Sequence, residues 1–211
     1  MHGFSDDERD RIREELVEVG REKILAFGPK KTNVADITEP VGIAKSTFYL
    51  FFDSKADLYL EILQRETDAF TRSLRDELAG IDDPREEFER LCRCYREFAE
   101  SNPLVQQMIG DETYRRIFRD DVSAERLEEI QREGLAEIVP YVESIQERSD
   151  GLIADHDPVT VLGLIGTIGL MVLHRDEYRE YDEGYYDRVQ ELLVSALAAG
   201  LTTERTAAAG S

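Results

Sequence analysis

All five lysines of this 211-residue chain lie between residues 23 and 55, although its net charge is −20. Inside that stretch Gly42 is followed at once by Lys45, Ser46, Thr47 and Tyr49. An ammonium, two hydroxyls and a phenol so close together are hydrogen-bonding groups for phosphate oxygens and base edges. Bond-breaking chemistry has no comparable support. The three histidines (His2, His156, His174) and two cysteines (Cys92, Cys94) show no metal-ligand spacing. No glycine loop for a phosphate and no nucleophile elbow occurs. The expectation is therefore no catalytic residue, no metal, no cofactor and no enzyme.

Such donors work only if a short helix presents them and another braces it. Ser5 with Glu8 forms a capping box for a helix to about Phe27, with Ile12, Leu16, Val19, Ile24 and Phe27 as its inner stripe. Gly28-Pro29 ends it. Asn33 with Asp36 caps a second helix whose inner residues are Val34, Ile37 and Val41. Gly42 makes the turn, and a third helix covers about 44–51. Ile37, Val41, Ile43 and Phe48 form the apolar underside. Ser54 with Asp57 then caps a long fourth helix carrying Leu58, Ile62, Leu63, Phe70, Leu74 and Leu78.

These residues carry a resemblance to the tetracycline-repressor (TetR) family of transcription regulators. The matching strings are Phe27-Gly28, Thr32 to Ile37, Val41 to Tyr49 and Phe52-Asp53-Ser54-Lys55-Ala56-Asp57-Leu58. The resemblance implies that Lys45, Ser46 and Thr47 approach base edges or nearby phosphates. It implies a phosphate contact from Tyr49, a place near the DNA backbone for Phe51, and a charge-assisted phosphate contact from Lys55. Thr32 and Asn33, at the start of the second helix, offer further donors. Phe48 and Phe52 are core. Three departures stand out: Thr38 and Val41 replace the small alanines usual there, Ser46 replaces a smaller residue, and Pro40 removes a backbone donor near the end of the second helix.

The remainder also reads as helix, giving an all-α fold with a helix-turn-helix domain over 1–55, a helical-bundle regulatory and dimerisation domain over 56–202, and a disordered tail over 203–211. Asp83-Pro84, Asn102-Pro103 and Asp157-Pro158 each pair an N-capping side chain with proline at the first helical position. Ser123 caps a helix to about Arg148 that Pro140 should kink. The resemblance implies a small-molecule effector and a homodimer built on the last two helices. The run Val159 to Leu173 is apolar apart from two threonines, with Gly163, Gly166 and Gly169 every third residue, so a second helix can approach closely. Val189, Leu192, Leu193, Ala196 and Leu197 continue such a surface on the last helix. Symmetry then predicts an inverted-repeat operator. Candidate effector-pocket residues are Phe88, Leu91, Tyr95, Phe98, Met108, Tyr114, Phe118, Tyr141, Ile145, Ile165 and His174, each of which also fits plain core. Double-stranded DNA, an unidentified effector and a second copy are thus the expected partners. The competing reading is an effector-independent DNA- or partner-binding dimer with no working pocket.

Charge divides the same way. Residues 1–55 hold nine Lys/Arg against eleven Asp/Glu, net −2, leaving −18 for the rest. Arginine outnumbers lysine 21 to 5, a composition expected of a salt-loving organism, in which DNA affinity should depend weakly on salt. No apolar run reaches about 18 residues and no apolar signal core opens the sequence, so a cytoplasmic protein outside the membrane is expected. Cys92 and Cys94 point to nearly opposite helix faces, which argues against a mutual disulfide.

Overall fold

The computed structural model describes residues 5–110 and 122–204, and every element among them is helical. In chain order the helices are α1 (Asp6–Phe27), α2 (Val34–Val41), α3 (Lys45–Phe48), α4 (Lys55–Leu78), α5 (Pro84–Ser101) and α6 (Pro103–Gly110). They continue with α7 (Ala124–Glu147), a 3₁₀ turn (Leu152–Asp155), α8 (Pro158–Leu173), α9 (Arg175–Arg179) and α10 (Tyr185–Thr202). Tyr114, Phe118 and nearly all of the 203–211 tail lie outside the described residues. No described helix is long and apolar enough to cross a membrane.

The chain forms two compact units, 5–68 with 122–130 and 69–110 with 131–204. In the first, Ile12, Leu16, Val17 and Ile24 of α1 are buried together with Ile37, Phe48, Leu58 and Ile62, and α1 packs on α2 and, at Gly20, close to Leu58 and Ile62. The expected stripe on α1 holds except at its end. Val19 is half-buried and Phe27 is 59% exposed, because helix α1 stops there and the chain turns away at Gly28. The predicted caps form: Ser5 accepts from the Glu8 amide at 3.3 Å, and Ser54 Oγ accepts from the Asp57 amide at 3.1 Å. Proline interrupts neither α2 at Pro40 nor the span of α7 at Pro140.

The second unit is built around Phe88, Leu91, Cys92, Val142, Ile145, Ile153, Val161, Ile165, Ile168, Val194 and Ala198. Both cysteines are free and buried, and burial pushes the Cys92 thiol up to about 12. Arg96 and Arg93 on α5 hold Glu191 on α10 at 2.7 and 3.2 Å. Nearby, the Tyr186 phenol donates to Glu100 at 2.8 Å and accepts from Gln190 at 3.1 Å. A side chain at Gly151 would place its Cβ only 2.3 Å from the Leu201 carbonyl oxygen, so the chain after α7 runs directly over the end of α10.

Candidate nucleic-acid interface

Helix α3 is a single turn, and its brevity follows from its surroundings. Its N-cap, Ala44, has no side-chain cap, and beyond Phe48 the backbone tightens into i to i+3 bonds, Leu50 to Thr47 at 3.0 Å and Phe51 to Phe48 at 2.9 Å. The helix predicted over 44–51 is thus regular only over Lys45–Phe48. Gly42 precedes it at φ +77°, ψ +26°, a left-handed conformation that suits glycine. From this turn the amide of Ile43 reaches back to the Thr38 carbonyl at 3.2 Å, which ties the turn to α2 although Pro40 supplies no donor. Phe48, fully buried, anchors the turn from below and packs on the Phe52 ring at 5.5 Å.

On the other side Lys45 and Ser46 are exposed and Thr47 is half-buried, with Tyr49 51% and Leu50 58% exposed. Lys30 and Lys31 are also exposed, on the loop entering α2, and the motif residues gave no reason to single them out. Asn33 is exposed, but its Oδ1 accepts from the Ala35 and Asp36 amides at 2.9 and 3.3 Å. Asp36 closes the capping box at 2.8 Å.

Two expected DNA contacts are instead turned inward. Thr32 is 1% exposed, and its hydroxyl is shared between the Gly28 and Lys23 carbonyls at 2.9 and 3.1 Å. A hydroxyl buried on two carbonyls closes the α1–α2 corner and is not presented to a ligand. Lys55 is half-buried. Its ammonium donates to the Thr32 and Pro29 carbonyls at 2.6 and 2.7 Å and lies 5.6 Å from the Tyr59 ring centroid. Tyr59 adds a bond to the Pro29 carbonyl at 3.1 Å. The Ser-Lys pair that opens α4 therefore caps a helix with one residue and clamps the loop before α2 with the other.

A second clamp comes from α1, and nothing in the motif pointed to it. Arg13 donates to the Phe51 carbonyl at 3.0 Å, pairs with Glu61 on α4 and lies 4.6 Å from the Phe52 ring centroid. One turn earlier, Arg9 reaches the Leu50 carbonyl at 3.4 Å and stands 5.5 Å from the half-buried Phe51 ring. Both arginines thus satisfy carbonyls where the short α3 runs out of internal partners. The signal was available in retrospect: two arginines one turn apart on the helix that packs under the motif.

In the second unit Phe88, Leu91, Ile145 and Ile165 are all at most 3% exposed and form packed core. Tyr95, Phe98, Met108 and Tyr141 are half-buried. Phe98 stacks on Phe70 at 4.6 Å, and burial raises the pKa of the Tyr95 phenol. His174 belongs to neither set. It ends α8 in the open, with Nδ1 3.0 Å from the Glu177 carboxylate, because the α8–α9 junction carries it out of the apolar cluster.

Of the small-residue seam, Gly163 is exposed and Gly166 half-buried, each with open space where a Cβ would stand, and Val159 and Leu170 are 44% and 51% exposed. Gly169 faces inward instead. A Cβ there would meet the Tyr95 hydroxyl at 2.8 Å, so its smallness serves a contact within one chain. On α10, Leu192 is 71% exposed and Ala196 is open, while Leu193 and Leu197 pack on the core and Val189 is half-buried.

Residues 16–62 match the sequence profile of the bacterial regulatory proteins of the tetR family. The chain is 26% identical over 106 residues to the HTH-type transcriptional activator FasR of Mycolicibacterium smegmatis, an alignment covering 50% of this chain and 48% of that protein. It thus spans about half the length of the curated relative it matches. Its fold is shared with a TetR family transcription regulator from Marinobacter aquaeolei (TM-score 0.64, 17% identity, 95% of this chain and 100% of the other). It is also shared with the regulator FadR of Bacillus subtilis, solved with stearoyl-CoA (TM-score 0.61, 18% identity, 86% and 97% covered). The matched segment takes in the Gly42 turn, the one-turn helix it leads into and the Lys55 clamp behind it, and over those residues this chain is similar to the tetR family of bacterial regulatory proteins.

Proposed function

We propose that the chain is a sequence-specific DNA-binding regulator that works as a homodimer on an inverted-repeat operator, and that an effector adjusts its grip. The observation that carries this reading is the set Lys45, Ser46, Thr47 and Tyr49 on one short turn, all exposed but the half-buried Thr47, with Phe48 locked beneath it. In this reading residues 1–55 hold the DNA. Lys45, Ser46 and Thr47 meet base edges, Tyr49, Lys30 and Lys31 meet phosphates, and the amide of Asn33 lies at the positive end of α2. Lys55, Arg13 and Arg9 position those groups rather than touch DNA.

Dimerisation is supported by the apolar surface left open on one chain: Val159, Gly163, Gly166 and Leu170 on α8, and Leu192 and Ala196 on α10. A second copy covering both helices would bury it. Residues 56–202 then join the two reading heads and receive the effector near Tyr95, Phe98, Met108 and Tyr141. An effector acts only by binding one arrangement of the heads better than the other. Repression is the simplest outcome of operator occupancy, and the relative named as an activator makes the sign itself a question for experiment. The dense packing of Phe88, Leu91, Ile145 and Ile165 favours a second reading, in which the dimer binds DNA without any effector.

Selection from a random duplex library with the purified protein in potassium chloride tests the main reading. Enrichment of an inverted repeat is the expected result, and a folded dimer that enriches nothing overturns it. The enriched duplex then serves as the probe for effectors, beginning with stearoyl-CoA. Release from DNA together with a rise in Tm separates a sensor from the effector-independent dimer.

A further inference from the structure

Between Arg175 and Asp187 the chain carries six carboxylates (Asp176, Glu177, Glu180, Asp182, Glu183, Asp187) against two arginines, Arg175 and Arg179. Three tyrosine rings gather among them. Tyr178 and Tyr185 lie nearly parallel with centroids 6.1 Å apart, and Tyr181 leans on Tyr185 at 5.4 Å. Together with Glu177 and Glu180 these rings line a surface cavity of about 700 Å³ beside α9 and the first turn of α10. Tyr181 is 80% and Tyr185 36% exposed, so much of this aromatic surface faces solvent.

The chemistry of that lining selects its ligand. Ring faces are electron-rich, and carboxylates at their edge repel any anion. A neutral apolar ligand would have to leave the carboxylates desolvated or unused. A hard metal ion needs several converging oxygens, and no group of potential metal ligands occurs among the described residues. An organic cation satisfies both features, since its methyl groups pack on the rings while its charge faces the carboxylates. The same chemistry already operates at the rim. The Arg188 guanidinium lies 5.9 Å from the Tyr185 centroid while donating to Asp182 at 2.5 Å. Glu177 shares a bond with His174, whereas Glu180 forms no ion pair among the described residues and leaves a carboxylate for a ligand.

We propose that the Tyr178–Tyr181–Tyr185 cleft binds a small quaternary ammonium or similarly methylated organic cation. The site lies outside the residues considered for the effector pocket, and the proposal stands whether or not the chain binds DNA. The test is calorimetric titration of the full-length protein, in its own oligomeric state and at fixed potassium chloride, with choline and tetramethylammonium. The control is 3,3-dimethylbutan-1-ol, which keeps the shape of choline and removes the charge.

Both cations are expected to bind and the alcohol is not. Tyr181→Leu should weaken binding about tenfold, the scale of one partly desolvated cation–ring contact. Tyr181→Phe should retain it, because the ring and not the hydroxyl is used, and Glu180→Gln should weaken it about threefold. Tyr181 is exposed enough that neither substitution threatens folding. Equal binding of the alcohol, no binding of either cation at tens of millimolar, or an unchanged affinity in Tyr181→Leu would each overturn the proposal. A cleft covered by a second copy gives the second of these results.

Discussion

Two lysines of one motif do different work, and their neighbours decide which. Lys45 is exposed at the start of α3, whereas the Lys55 ammonium is held by two loop carbonyls. Lys45→Met should leave Tm unchanged and lower the slope of log affinity against log salt by about one. Lys55→Met should lower stability by about 1.5 kcal/mol, the lower end for a charged donor because the side chain is only half-buried. Its loss of DNA affinity should keep the wild-type salt slope, and a flattened slope would return Lys55 to the phosphate-contacting role. Cys92 makes a separate point. With its pKa near 12 and no exposure, it should resist thiol reagents at neutral pH until the protein unfolds, and fast labelling of the native protein would contradict the packing.

At the scale of elements, a one-turn helix such as α3 cannot hold itself and depends on α1. Arg13→Ala removes the donor to Phe51, the Glu61 pair and the cover on Phe52 together. Since Arg13 is partly exposed, solvent screening limits the stability loss to about 1–2 kcal/mol. The loss of operator affinity should exceed this, at about tenfold or more, because α3 is misplaced in whatever remains folded. Normal affinity in a duplex-binding titration would reject the clamp. In the second unit Gly151→Ala should cost about 2–3 kcal/mol in urea unfolding, since the opposing atoms are backbone and cannot rotate aside. Leu192→Asp, on the open face of α10, should convert a dimer to a monomer in sedimentation without unfolding it.

The whole molecule carries twenty excess negative charges, and their mutual repulsion opposes compactness. Tm should therefore rise as potassium chloride increases from about 0.1 to 2 M and the Debye length shrinks from about 10 Å to below 3 Å. A Tm that falls with salt would show that specific ion pairs outweigh the repulsion. Acid acts through individual carboxylates. Arg65 holds the Glu14 carboxyl below its ordinary 4.5, and for Glu191 burial is the largest single influence and pushes up, but the hydrogen bonds and charges of Arg96 and Arg93 together outweigh it and lower the carboxyl. A depressed carboxylate contributes stability that is present above 4.5 and lost as pH falls through the lower folded value. Glu191→Gln should thus flatten the stability profile below 4.5, measured by thermal unfolding across that window.

Helix positions, caps and the Gly42 turn were legible in the sequence because they rest on local rules. A capping side chain reaches three residues, an apolar stripe repeats every three or four, and glycine alone tolerates the left-handed turn at little cost. The all-α class and the exposure of Lys45, Ser46 and Tyr49 followed from these. Where Thr32 and Lys55 spend their donors did not, because their partners lie 4 to 26 residues away on carbonyls freed only when α1, the loop and α4 meet. Gly169, His174 and Phe27 were misjudged for the same reason. Helical spacing says which residues share a face, and only tertiary packing decides whether that face meets Tyr95, solvent or a neighbouring helix. The tyrosine cleft is the clearest case: Tyr178, Tyr181 and Tyr185 have the 3/4 spacing of a helical stripe, yet no single helix carries them and they meet across the turn between α9 and α10.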